Sequence, residues 1–277
     1  VIDLHSHVLP GVDDGAATLV ESLAIARAAV ADGVTVLAAT PHVRDDYPTR
    51  AETMLELLAE VHVAIALEGI PLRLVGGGEV ALELVSRLSF DELRRFGLAG
   101  NPGYLLVESP ASGWVPEVGR LLAELRRNGI TPVLAHPERN NVVQERPELL
   151  APLVADGVLV QVTAAAVDGR FGERARATAC TLVRQGLAHV LASDAHGGSV
   201  RQIGLSAAAA ALGDPDLARW LTEGVPGAIL RQEALPERPA TPEPSGEPGR
   251  PWAEPQPEPL MRQPPRPGGL RGRLLGR

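Results

Sequence analysis

Short apolar runs alternate along the chain with longer stretches whose apolar residues recur at helical spacing. The runs are Val1–Leu4, Val34–Ala39, Leu72–Val75, Tyr104–Glu108, Thr131–Ala135, Val158–Val162 and Ala188–Ala192. Brief β-rich runs separated by helical patterns predict parallel βα units. Thr18 with Glu21, and Thr49 with Glu52, have capping-box spacing, so helices are expected to start there. Gly33, Gly129, Gly157 and Gly186 close helical stretches shortly before a strand, where a cap glycine belongs. Seven units in one repeating order predict an α/β barrel one strand short of the usual eight. A doubly wound open sheet fits the same order of elements.

The pattern stops near Leu235. Residues 236–277 hold 12 of the chain's 25 prolines and almost no apolar clusters. Such a stretch buries too little surface to offset its ordering entropy, so it is expected to be a proline-rich disordered tail behind a domain spanning residues 1–235. Its charge is +2, from seven Arg against five Glu, which leaves −10 for the domain in a chain of net charge −8. That acidic balance argues against nucleic acid as a partner. The final Gly-Leu-Arg-Gly-Arg-Leu-Leu-Gly-Arg reads as a solvated basic end.

The polar residues that carry chemistry gather where the predicted strands end. The first strand runs into Asp3-Leu-His5-Ser-His7, which at strand period two places Asp3, His5 and His7 on one side. Asp14 follows in Val-Asp-Asp-Gly, His42 follows the second strand, and Glu79 follows Gly76-Gly-Gly after the third. Glu108 ends the fourth strand, His136 the fifth, and Asp194 with His196 the seventh; the sixth is expected to contribute none. Five of the seven histidines thus lie at strand C-terminal ends, the edge on which parallel barrels build active sites. His62 and His189 fall elsewhere and are given no role.

This thiolate-free set of histidines and carboxylates suits Mn²⁺, Fe²⁺ or Zn²⁺, with its oxygen-rich share favouring Mn²⁺. The nine residues are too many for one ion and fit three, with a carboxylate bridging two. Three divalent cations against Asp14, Glu79, Glu108 and Asp194 leave a positive remainder, which attracts a phosphate monoester and acidifies a bound water. Arg139, in His-Pro-Glu-Arg, and Arg201, after His196, lie close in sequence and can grip phosphate bidentately. All 26 basic side chains are arginine, so mechanisms that need a lysine are closed. The single cysteine, Cys180, excludes a disulfide framework and fits a reducing compartment. With no apolar run long enough to span a bilayer and no leader ahead of the first strand, the chain reads as cytoplasmic.

The segment from Asp3 through Asp14-Gly15-Ala resembles the opening of the PHP-class tyrosine phosphatases of bacterial capsule operons. Ala39-Thr-Pro-His42, Gly78-Glu79-Val, Val107-Glu108-Ser, Ala135-His136-Pro-Glu-Arg139 and Ala192-Ser-Asp194-Ala-His196 are similar to that family's later motifs, in order. The resemblance covers residues 1 to about 230 and implies a PHP-type distorted (β/α)7 TIM-like barrel. It further implies three metal ions. One takes His5, His7, Glu79 and Asp194, a second shares Glu79 and adds Glu108 and His136, and the third takes Asp14, His42 and His196. Arg139 and Arg201 hold the phosphoryl group while a metal-bound hydroxide attacks. The implied substrate is the phosphotyrosine cluster of a membrane-associated tyrosine autokinase; homo-oligomerisation is left open.

Other readings share parts of this pattern. A PHP phosphatase of a small phosphoester such as histidinol phosphate would need nearly the same metal site. Amidohydrolases also open on a His-x-His pair, but many bridge their metals with a carbamylated lysine, which this chain lacks. A PHP module kept as a non-catalytic scaffold usually loses ligands, whereas all nine positions are filled here. A cysteine-based tyrosine phosphatase needs Cys-x5-Arg, and Gly186 stands six residues after Cys180.

Overall fold

The computed structural model describes residues 1–110, 112–114, 117–197 and 201–240. Its ten strands are β1 (Ile2–Ser6), β2 (Val36–Ala39), β3 (His42–Arg44), β4 (Tyr47–Pro48), β5 (Arg73–Gly76), β6 (Glu79–Ala81), β7 (Tyr104–Glu108), β8 (Thr131–Ala135), β9 (Leu159–Thr163) and β10 (Val190–Ala192). All seven expected runs carry a strand, with ends displaced by one or two residues at several of them. The result is a mixed α/β fold with two mainly parallel sheets, ordered β1-β2-β5 and β10-β9-β8-β7-β6-β3-β4. Among the described residues, only the β3–β4 hairpin pairs antiparallel.

Three strands were not expected: β3 and β6 lie just past the end of an expected run, and β4 is the hairpin partner of β3. The second run breaks at Thr40-Pro41 and resumes as β3, because proline has no N–H to give the ladder. The third breaks at Gly77-Gly78 and resumes as β6. Both upper pieces pair with each other, His42 opposite Glu79. These breaks divide the strands between two sheets. A parallel bridge between Ser6 and Ala195 connects the end of β1 with the segment after β10. His7 N–H donates to Ala195 O at 2.8 Å, and Asp194 N–H to His5 O at 2.9 Å.

Strand burial explains why alternation is weak in this sequence. Every residue of β9 is buried, Gln161 included, as expected of a parallel strand covered on both faces. The helix Glu117–Arg127 buries Val118, Leu121, Leu122 and Leu125 at spacings of three and four, one stripe against the sheet. Thr18 caps α1 (Leu19–Ala31) by accepting from Glu21 N–H, while Glu21 reaches back to Ala17 N–H. The second expected box does not form. Helix α2 (Ala51–Leu67) starts at an Arg50 cap with no side-chain bond, and Glu52 pairs with Arg95 instead. Gly33, Gly129, Gly157 and Gly186 all have positive φ.

The chain does not leave the folded body at Leu235. Pro236 O accepts from Trp220 Nε1–H at 3.1 Å. Arg238 lies over the Trp220 ring and donates to Val183 O at 2.6 Å and Ala188 O at 3.3 Å. The remainder of the expected tail, residues 241–277, lies outside the described residues. A chain ending at Leu235 should therefore melt several degrees below one ending at Ala240, since charged hydrogen bonds contribute about 1.5–3 kcal/mol each. Thermal denaturation of the two truncations checks this. Among the described residues, no helix is long and apolar enough to cross a membrane.

Candidate metal centre

All nine residues expected to bind metal come together: His42 and Glu79 open β3 and β6, and the other seven lie at or beyond the C-terminal ends of β1, β7, β8 and β10. Their donor atoms form four overlapping groups, each within 4.8 Å: His7, Asp14, His42 and His196; His5, Glu79 and His136; His5, His7 and Asp194; His42, Glu79 and Glu108. Glu79 connects them. Its carboxylate oxygens lie 2.7 Å from His136 Nε2, 3.0 Å from His42 Nδ1, and 3.4 Å from Nε2 of both His5 and His7. Asp194 Oδ1 stands 3.3 Å from His5 Nε2 and 3.2 Å from His7 Nε2. Asp14 Oδ1 stands 3.2 Å from His196 Nε2 and 3.4 Å from His42 Nε2.

The local backbone is built around these contacts. His136 and Asp194 are both left-handed, at φ 37° and 52°. Such conformations are uncommon outside glycine and persist where surrounding structure holds them, often at functional sites. Gly15 has a different constraint. A Cβ there would lie 2.2 Å from His7 O and 2.4 Å from His7 Cβ, so only glycine lets the Asp-Asp-Gly turn fold back over His7.

Asp3, expected to face the same side, is buried but joins none of the metal-type groups. It accepts from Ser193 N–H at 3.0 Å and so holds β1 beside the end of β10. Burial lifts its pKa to about 6.

Several supporting residues were not read from the sequence. Asp13 Oδ2 accepts from His7 Nδ1–H at 2.7 Å and from His42 N–H at 2.9 Å. That bond fixes the His7 ring and leaves Nε2 facing the cluster. Gln161, from the strand expected to contribute nothing, accepts at 3.0 Å from His5 Nδ1–H and does the same for His5. A lone amide in the apolar run Val158–Val162 was the available signal. Arg44 donates to Glu108 at 3.1 Å and also grips Asp46. Tyr47 stacks on His42 at 5.7 Å between centroids.

The electrostatics suit cations. Burial alone would raise the pKa of Glu79, but His5 and His136 outweigh it and hold the carboxyl well below its ordinary value. Asp194 is likewise held well down against its burial, chiefly by His5 and His7. Burial opposes charge on His7, yet its bonds to Asp13, Asp194 and Glu79 keep it well above the usual imidazole value. His136 is pushed down to about 4 by burial and the Arg139 charge, and His196 to about 3 by burial and His7. Glu79 Oε2, His42 Nδ1 and His196 Nε2 are buried and lie close to imidazole or carboxylate groups, yet make no well-aligned hydrogen bond. Donors and acceptors of this kind, in a thiolate-free cluster, fit first-row divalent cations.

Both arginines reach the same carboxylate. Arg139 Nη1 lies 2.5 Å from Asp194 Oδ2, and Arg201 Nη2 lies 3.3 Å from that oxygen. Arg201 also contacts Asp14 Oδ2 at 3.1 Å. Cys180 is elsewhere, buried in the helix Glu173–Arg184, with its thiol pKa raised by burial. A catalytic thiolate needs the opposite shift. Cys180→Ser is therefore expected to retain most catalytic activity, and loss of activity in a variant with wild-type circular dichroism would overturn that expectation.

A buried cluster of histidines and carboxylates beside two convergent arginines is the kind of site that metal-dependent hydrolases use. The chain belongs to the CpsB/CapC family of capsular polysaccharide synthesis, whose model matches residues 1–214. It is 35% identical over 198 residues to the tyrosine-protein phosphatase YwqE of Bacillus subtilis, covering 71% of this chain and 77% of that one. It is 28% identical over 214 residues to the tyrosine-protein phosphatase CpsB of Streptococcus agalactiae serotype V, covering 73% and 85%. A crystal structure from a study of YwqE and of Streptococcus pneumoniae CpsB, described there as unique metal-dependent tyrosine phosphatases, superposes with a TM-score of 0.76. That match has 30% identity and covers 87% of this chain and all of the other.

Proposed function

We propose that this protein is a metal-dependent protein-tyrosine phosphatase serving polysaccharide synthesis. The observation that carries the reading is the meeting of Arg139 and Arg201 on Asp194, inside the cluster of nine metal-type residues. Divalent ions held there supply Lewis acidity and a water acidified to near neutral pH. We assign three ions, with Mn²⁺ preferred, and the set His5, His7, Asp14, His42, Glu79, Glu108, His136, Asp194 and His196 as their ligands. The seven strand units fit a distorted PHP-type (β/α)7 barrel, supported by the Ser6–Ala195 bridge.

The chain's own residues do the rest. Two guanidinium groups present bidentate donors to phosphoryl oxygens, while Asp13 and Gln161 keep the His7 and His5 rings oriented. Phenolate, of pKa about 10, leaves far more readily than an alkoxide, so no strong general acid is needed. The partner we assign is a membrane-associated tyrosine autokinase, and the domain spans the residues before the proline-rich tail.

The test compares kcat/KM for a phosphotyrosine peptide, a phosphoserine peptide and histidinol phosphate on the Mn²⁺-loaded protein. Phosphotyrosine should lead. A wide margin for histidinol phosphate would keep the metallophosphatase and remove the protein-tyrosine substrate.

A further inference from the structure

The turn after β9 touches the supports of both arginines at once. Asp168, Arg170 and Phe171 lie in five residues between the short helix Ala164–Val167 and the helix Glu173–Arg184. Phe171 is pinned by its N–H to Ala165 O at 2.9 Å, and its ring lies beneath the Arg139 guanidinium, 5.1 Å from Cζ to the centroid. The neighbouring Arg170 points the other way. Its Nε donates to Asp168 Oδ2 at 2.8 Å, its Nη1 to Gln202 O at 3.1 Å and its Nη2 to Ile203 O at 3.5 Å. Those two carbonyls directly follow Arg201. Gly204 makes the approach possible: a Cβ there would lie 2.4 Å from Arg170 Nη2 and displace the guanidinium.

The segment carrying Arg201 is held from two further sides. Arg201 O accepts from His196 N–H at 2.8 Å. The Asp32 carboxylate accepts from Leu205 N–H at 2.6 Å and Ser206 N–H at 3.0 Å. Arg170 is thus the support that connects the Arg201 segment to the one on which Arg139 rests.

We infer that Phe171 and Arg170 are positioning residues, which hold Arg139 and Arg201 in the joint geometry that grips one phosphoryl group. The inference rests on the phosphoryl-binding role proposed above for the two arginines. A guanidinium on an aromatic face keeps its plane and its outward N–H groups free, so it is oriented without losing donors. The Arg170 fork acts on backbone carbonyls, and its effect on phosphate runs through the placement of Arg201. A side chain of similar bulk without the ring, or lysine without the fork, should lose these effects.

The test uses inorganic phosphate as a competitive inhibitor of p-nitrophenyl phosphate hydrolysis by the metal-loaded full chain. Phosphate has no ring to stack, so its inhibition constant reports the anion grip alone. Phe171→Leu should weaken phosphate about threefold to tenfold, and Phe171→Tyr should restore it. Arg170→Lys should weaken it similarly, with metal content unchanged in all three. The crossed double variants decide the matter. Phe171→Leu should have no further effect in Arg139→Ala but full effect in Arg201→Ala, and Arg170→Lys should show the reverse. Equal effects in both backgrounds, or none in the wild type, would overturn the inference while leaving the arginines' role intact. Unchanged phosphate inhibition in Arg139→Ala and in Arg201→Ala would remove the parent reading as well. If Phe171→Leu does not fold, Phe171→Met enters the same cycle.

Discussion

Protein stripped of divalent cations should hydrolyse phosphotyrosine no faster than the uncatalysed background, and added Mn²⁺ should restore turnover. Without cations, Asp14, Glu79, Glu108 and Asp194 present negative charge to a phosphate dianion, and His136 and His196, both shifted well below neutrality, cannot compensate. The cluster then balances itself with protons, which His5 and His7 retain above their ordinary range. Binding a cation must displace those protons, so metal affinity should rise with pH. Turnover by chelated protein, measured with each metal added back across a pH series, checks both statements. Full activity in protein shown by elemental analysis to be metal-free would end the metallophosphatase reading.

Asp194→Asn should lower kcat/KM by on the order of 10³, the upper range for removing one electrostatic contact from an active site. Asp194 is fully buried, and His5, His7, Arg139 and Arg201 all converge on it. Removing its charge therefore takes away a proposed cation ligand and the anchor of both guanidinium groups together. Asparagine is the informative replacement because the backbone here is left-handed, which Asn tolerates and Ala does not. An alanine variant would add backbone strain and blur the result. Wild-type kcat/KM with full metal content in Asp194→Asn would show that this carboxylate is dispensable.

The residues of the cluster were legible because they stand out chemically. Histidines and carboxylates placed directly after apolar runs are rarely there for packing, and parallel topology sends every such strand end to one edge. The supporting residues were hidden for a matching reason. Asp13 looked like a turn companion of Asp14, and Gln161 like an interruption in a strand. Only their distances to His7 and His5 reveal what they do. Arg44 and Phe171 gave no sequence signal, since an arginine near a strand end is most often solvated and an aromatic is most often core.

What the sequence determined by itself was the alternation of strands and helices, the edge on which the polar residues gather, and the chemistry they support. These follow from local properties: apolar periodicity, glycine at helix ends, and the donor preferences of imidazole and carboxylate. Tertiary structure decided the rest. The split of the second and third runs depends on Pro41 and on Gly77-Gly78 meeting neighbouring segments. The loss of the Thr49 box depends on Arg95, 43 residues from the Glu52 it claims. The grouping of the cluster around Glu79 depends on His5, His42 and His136 approaching it from three other strands. Contacts between residues far apart in the chain carry no local pattern, because they are fixed by which strands pair and how their side chains then fill one shared space.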